Sequence, residues 1–176
     1  MKYSKMEWGT MEAVVNRLGG MDGVQRFLAG KVDCDVRPVV PMGWEVIKHQ
    51  KGGLLGLEFN KIAQTIELWQ SERQKGDGVI SIDDLHQELE LAGKIVLNAN
   101  PLDYLLRDVY LIPEEWKDGD KKIFFPGTVY RDTKGLDVVR YLCSDGTWRW
   151  GSSWVGGGMN CRHFTAILAK HTNAAE

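Results

Sequence analysis

After Pro113 the sequence changes period. Four runs, KKIFFPGTVYRD, LDVVRYLC, TWRWGSSW and FTAILAK, are short, rich in aromatic and β-branched residues, and separated by Asp/Gly turns. Residues of this kind suit a pleated, half-buried surface, so the runs predict strands, with TKG and SDG as hairpin loops.

The upstream signals are helical. In GDGVISIDDLHQELELAG, Ser81 is placed to cap a helix and Asp83 and Asp84 favour its positive end. Ile82, Leu85 and Leu89 share one face, and Gly93 ends the helix. In NANPLDYLLRDV, Asn100 reads as the cap, Pro101 as the first helical residue, and Leu102, Leu105, Leu106 and Val109 as the buried stripe. The two helices are expected back to back. Helices followed by an antiparallel sheet make an α+β order, not the alternation of a parallel doubly wound sheet.

Nearer the start, Met11, Val14, Val15 and Leu18 recur at helical spacing up to Gly19-Gly20, and Val24, Phe27 and Leu28 repeat the pattern before Gly30. A short helical hairpin is expected, with Asp22 capping its second helix. Its outline is that of a helix-turn-helix, but only Gln25 and Arg26 stand where base-reading side chains are needed; packing or self-association is the expected role. KVDCDVRPVVPMG, 31–43, holds two prolines and no sustained period. It reads as a linker or edge segment dividing a hairpin piece, 1–40, from a main domain, 41–176. KGGLLG lacks the Gly-Lys-Ser/Thr ending of a phosphate loop and reads as a turn. Ile62, Ile66 and Leu68 fall on one face of a strand, with a helix over 60–72 as the open alternative.

Composition narrows the functional classes. The 176 residues, 43% hydrophobic and 26% charged, describe a globular chain with a core of its own. A formal charge of −2 gives no global attraction to nucleic acid or anionic lipid. The stretch MKYSKMEWGTMEAV has neither the apolar core nor the cleavage site of a signal peptide, and no run reaches membrane-spanning length, so a cytoplasmic location is expected. Cys34, Cys143 and Cys161 are odd in number and far apart, as free thiols in a reducing compartment would be.

Candidate chemistry is sparse. Cys161 and His163, two apart, would share one face of a strand as a nucleophile with its base or as half a metal site. A cysteine hydrolase also needs an orienting third group, and zinc about four ligands. Asp118, Asp120 and Asp145 sit in turn-like sequence without calcium-loop spacing. Glu114 and Glu115 open a short helical turn that ends at Trp116. No metal, cofactor or acid–base role is expected. Trp148, Arg149, Trp150 and Arg162 offer a stacking platform for single-stranded nucleic acid, which the low net charge opposes. Three of the seven tryptophans lie within 148–154; core anchoring is expected of Trp150 and Trp154.

LIPEEWKDGDKKIFFPGTVYRD, VVRYLCSDGTWRWGSSWV and VLNANPLDYLLRD together carry a resemblance. From about Gly78 to Ala169, and more weakly over MEAVVNRLGGMDGVQRFLAG, the chain resembles a large set of bacterial and archaeal proteins that look like the variable proteins of diversity-generating retroelements. The resemblance implies a C-type-lectin-like fold: a strand, two helices and a twisted antiparallel sheet whose C-terminal part displays the variable residues. It also implies that Asn-type codons are rewritten at their first two positions, which cannot then specify Trp, Met, Lys, Glu or Gln. Within 151–163 only Trp154 and Met159 are of those types. Neither the Glu-Pro-Asn nor the Gln-Pro-Asp triplet of calcium-dependent sugar binding is present, so the lectin name implies shape alone.

The resemblance makes the expected ligand surface Arg149, Gly151, Ser152 and Ser153, then Gly156, Gly157 and Gly158, then Asn160, Cys161, Arg162 and His163. Trp150, Trp154, Met159 and Phe164 are the expected fixed positions, and the ligand is expected to be another protein. A surface that accepts varied side chains needs its backbone held by something else, as antibody loops are held by their sandwich. Emptying a buried Trp154 would cost about 3–5 kcal/mol, whereas Ser152→Tyr or Arg162→Asn would stay within about 0.5 kcal/mol. The alternatives are a cysteine-dependent enzyme using Cys161 and His163, and a single-stranded nucleic-acid module using Trp148, Arg149 and Trp150.

Overall fold

A computed structural model describes residues 12, 15, 20–29, 31–32, 37–50, 57–117 and 119–169. In chain order the elements are α1 (Met21–Leu28), β1 (Lys31–Val32), β2 (Glu45–His49), β3 (Leu57–Glu58), β4 (Ile66–Trp69), β5 (Ile80–Ser81), α2 (Ile82–Leu91) and α3 (Ala99–Arg107). There follow β6 (Lys122–Arg131), β7 (Asp137–Ser144), β8 (Trp148–Trp154), β9 (Gly158–Met159) and β10 (His163–Leu168). The fold is α+β. Each period-two run forms a strand, and Gly135 and Gly146 take the positive φ (79° and 103°) of the two hairpin loops.

The main sheet has the order β4-β10-β6-β7-β8, with β2 also paired to β6. It is not wholly antiparallel, because β10 runs parallel to β6. After β8 the chain crosses β7 and β6 and inserts between β6 and β4, which leaves β10 pointing the same way as β6. The ten-residue β6 changes partner halfway: its first half pairs with β10 and its second with β2. Pro126-Gly127 marks the change, and the β6–β7 register shifts there. Pro126 has no N–H for the ladder. Gly127 donates to the Leu97 carbonyl at 3.0 Å, and a Cβ on it would lie 2.9 Å from the backbone of Leu97 and Asn98.

The Ser81 hydroxyl caps α2 by accepting from Asp84 N at 3.1 Å. Ile82, Leu85 and Leu89 are buried with Phe124, Val139 and Ile167 on one sheet face. On the other face, Leu102 and Leu105 of α3 pack with Ile123, Phe125, Leu142 and Ala166. The helices therefore do not sit back to back; the sheet lies between them. Each fully buried leucine contributes about 1.5–3 kcal/mol. The cap of α3 is Asn98, not Asn100: its side chain accepts from Asn100 N at 3.1 Å and donates to the Gln50 carbonyl at 3.0 Å. That tertiary bond selects the earlier residue. The helix ends at Arg107, where Asp108 leaves the helical conformation, and Val109 is exposed in the turn beyond it.

Ile62 and Ile66 are buried but in different elements. Phe59–Thr65 form a 3-10 helix, closed where Thr65 Oγ1 donates to Ile62 O at 2.7 Å, and the strand begins only at Ile66. Glu114–Trp116 form the expected short turn, with Trp116 buried. Asp22 lies within the first turn of α1 instead of capping it, and Leu28 is exposed. Lys31–Val32, read as linker, pair with Leu57–Glu58. The expected helix over 11–18 lies outside the described residues except for Glu12 and Val15, both helical; KGGLLG and Cys34 lie wholly outside. No helix among the described residues is long and apolar enough to cross a membrane.

Candidate binding surface

β8 is an end strand of the main sheet, and its pairing with β7 sorts the side chains. Leu142 pairs with Trp150, Arg140 with Ser152 and Val138 with Trp154, while Cys143 pairs with Arg149, Tyr141 with Gly151 and Val139 with Ser153. Directly paired residues share a face. Arg149, Gly151 and Ser153 therefore stand with Tyr141 and Cys143 on the α2 side, and Ser152 stands with the tryptophans on the α3 side.

Trp150 and Trp154 do not enter the core. They are 38% and 54% exposed, because their face of β8 reaches past the cover that α3 provides. Trp148 is the one that packs against the core cluster. Trp150 lies edge-on to Trp44 at 5.9 Å and over the Arg140 guanidinium at 4.5 Å. Arg140 is almost wholly buried and pairs with Asp103 at 2.8 Å. Burial raises the Asp103 pKa, and the bond and charge of Arg140 oppose that rise. Strand alternation also separates Arg149 from Trp148 and Trp150, so the three do not form one stacking platform.

Beyond β8 the chain is held by other segments. Ile82 N donates to Val155 O at 3.1 Å, Gly158 and Met159 pair with Ser81 and Ile80, and the Met159 side chain is buried. The next four residues depend on two glutamines. Gln74, fully buried, donates through Nε2 to Asn160 O at 2.9 Å and His163 O at 2.8 Å. Gln70 Nε2 donates to Cys161 O at 2.7 Å and His163 O at 3.2 Å. Gln74 is itself fixed by a capping box in which its Oε1 accepts from Ser71 N at 3.0 Å. Within the loop, Asn160 Oδ1 accepts from Arg162 N at 3.0 Å. The side chains of Cys161 and Arg162 are exposed; that of Cys161 makes none of these bonds, and that of Arg162 pairs only with the exposed Asp120.

The glycines differ in what they permit. A Cβ on Gly158 would make ordinary contact with Val79 at 3.5 Å, whereas one on Gly157 would lie 2.9 Å from the Trp154 carbonyl. On Gly151 and Gly156 it would meet the Tyr141 and Trp154 rings at 2.5 and 2.6 Å. Gly157 is thus bound by backbone, and Gly151 and Gly156 by rings that must turn aside.

Arg149, Asn160, Arg162 and His163 come together in one cleft with Lys121, Lys122, Tyr141, Cys143, Asp120 and Asp145. Cys161 opens on its far side with Phe164. Gly156–Gly158 and Ser152 are not part of the cleft lining. Burial, and then the charge of Lys122, lower the His163 pKa to about 4, so the ring is neutral at pH 7. Its Nδ1 accepts from Asn160 N at 3.3 Å. Among the described residues no hydrogen bond joins Cys161 to His163, and no group of three or more His, Cys, Asp or Glu is placed to hold a metal ion.

Sequence reasoning overlooked Gln70, Gln74 and Arg140. Gln74 carried a signal, the S-x-x-Q spacing of a capping box at Ser71; Gln70, just before it, carried none. Arg140 carried another, a charge on the same strand face as Val138 and Leu142. Comparison of the chain with protein-family models, with curated proteins and with solved structures returns no match.

Proposed function

We propose that the protein is a non-enzymatic binder whose C-terminal surface tolerates exchange of its side chains, in the manner of a retroelement-diversified variable protein on a C-type-lectin-like frame. One observation carries the reading: the backbone from Val155 to His163 is fixed largely by groups outside it. Gln70, Gln74 and β5 make those bonds. The exposed side chains of Ser152 and Cys161 can change, and Gly158 can gain one, without removing a hydrogen bond that holds the segment; Arg162 gives up only its solvent-exposed pair with Asp120. Trp150 and Trp154 then serve as constant aromatic contacts on the surface, a role that suits tryptophan at interfaces.

The ligand is a protein. It is recognised on the α2 side by Arg149, Gly151, Ser153, Asn160, Arg162 and His163, and on the α3 side by Ser152 beside the tryptophans. Sequencing the DNA around the gene tests this. The reading predicts a nearby reverse transcriptase and a near-copy of the codons for 148–163 that differs only where the copy has adenine. Sister sequences that vary as much at Met159 and Trp154 as at Ser152 and Arg162 would refute it.

A further inference from the structure

The cleft between the β7–β8 hairpin and the segments before β6 and β10 has its own electrostatic character. Its described lining holds four cations, Lys121, Lys122, Arg149 and Arg162, against two carboxylates, Asp120 and Asp145. That surplus of two sits in a chain of formal charge −2, so everything outside the cleft carries −4. Both carboxylates already have partners: Asp145 accepts from Arg149 Nε at 2.8 Å, and Asp120 accepts from Arg162 Nη1. These pairs are open to solvent, and exposed ion pairs are worth only about 0–1 kcal/mol. An incoming carboxylate can replace them at little cost.

The two lysines differ from the arginines. Lys122 lies over the Tyr141 ring at 5.1 Å, and Lys121 lies over Phe164 at 5.3 Å while donating to the Glu115 carbonyl at 2.9 Å. Among the described residues neither has a carboxylate within ion-pair distance. The rings and the carbonyl hold the ammonium groups in place with no ion-pair partner among the described residues. Both lysines also lie outside the exchangeable stretch 148–163, so they belong to the frame.

We propose that this cleft binds an acidic segment of a protein partner, with Lys121 and Lys122 as constant cationic contacts and Arg149 and Arg162 as the contribution of this particular surface. The inference rests on the binding-surface reading above and adds the class of ligand. A peptide fits better than nucleic acid. Phosphate backbones need cations along an extended track, and here the positive charge is confined to one cleft on an otherwise acidic chain.

The test is fluorescence anisotropy of a labelled hexaglutamate peptide titrated with the full chain at low ionic strength. The expected result is saturable binding that weakens at least tenfold in 0.2 M salt, as about a Debye length of screening requires. At least tenfold loss is also expected in Lys122→Glu, with no change in Lys134→Glu at the far hairpin turn. Absence of saturable binding, wild-type affinity in Lys122→Glu, or tighter binding of a single-stranded oligonucleotide of equal charge would each overturn the inference. None of these touches the retroelement reading, which the flanking DNA decides. Loss in Lys122→Glu with full affinity in the Arg149→Ser, Arg162→Ser double variant would support the cleft. It would also contradict the assignment of those arginines as ligand contacts.

Discussion

At the residue scale, Trp154 and Met159 look alike in the sequence, as bulky apolar residues amid small ones, and differ in the structure. Met159 is buried among Ile80, Leu85 and Val139, so Met159→Ala is expected to cost about 2–5 kcal/mol. Trp154→Ala removes a half-exposed ring and is expected to cost about 1 kcal/mol; urea melts of the two variants check both. The glycines give a second pair. Gly157→Ala forces a Cβ against backbone and is expected to lose about 1–3 kcal/mol, whereas Gly158→Ala stays within about 0.5 kcal/mol. His163 gives a pH dependence. With its folded pKa near 4 and the ordinary value near 6.5, the unfolded chain binds more protons between these limits, so stability falls as pH drops through them. His86, also lowered by burial, acts in the same direction. Urea midpoints at pH 7 and pH 5 should therefore differ in the wild type, and His163→Gln should shrink the difference without abolishing it.

At the element scale, local signals were legible where local chemistry decides. Ser81 caps α2 as its sequence indicates, and the hairpin glycines take the φ their turns demand. What tertiary contacts decide was not legible. Asn98 caps in place of Asn100 and bonds to Gln50, and β6 changes partner at Pro126-Gly127, where the Gly127 N–H goes to the Leu97 carbonyl. The binding surface follows the same division. Alternation in WRWGSSW is visible as a pattern, but which face is covered depends on how far α3 extends, and that placed Trp150 and Trp154 outside. Gln74 carries a testable consequence here. Replacing it with Met leaves the Ser71 N–H without its partner and takes one of two hydrogen bonds from the carbonyls of Asn160 and His163, which keep His163 N and Gln70 Nε2 as donors; about 1–3 kcal/mol for one unsatisfied buried group predicts a loss of at least about 1 kcal/mol. Limited proteolysis should then cut faster between Asn160 and His163.

At the scale of the whole molecule, the sheet divides two tasks between its faces. On the α2 side lies a polar cleft whose two arginines, Arg149 and Arg162, are exposed; on the α3 side Trp150 lies over the guanidinium of the buried Arg140–Asp103 pair, and Trp154 is half exposed. The strand β8 joins them, and two glutamines from the segment after β4 hold the loop that follows. The path of the backbone through 155–163 is set by this support and by β5, with Asn160 and His163 adding one side-chain bond each, and not by Cys161 or Arg162. A single-site saturation library covering 148–163, Gln70 and Gln74, scored by survival under protease, tests it directly. Ser152, Gly158, Cys161 and Arg162 are expected to accept most residues while Gly157, Met159 and Gln74 accept few. A library in which Gln74 is as tolerant as Arg162 would contradict it.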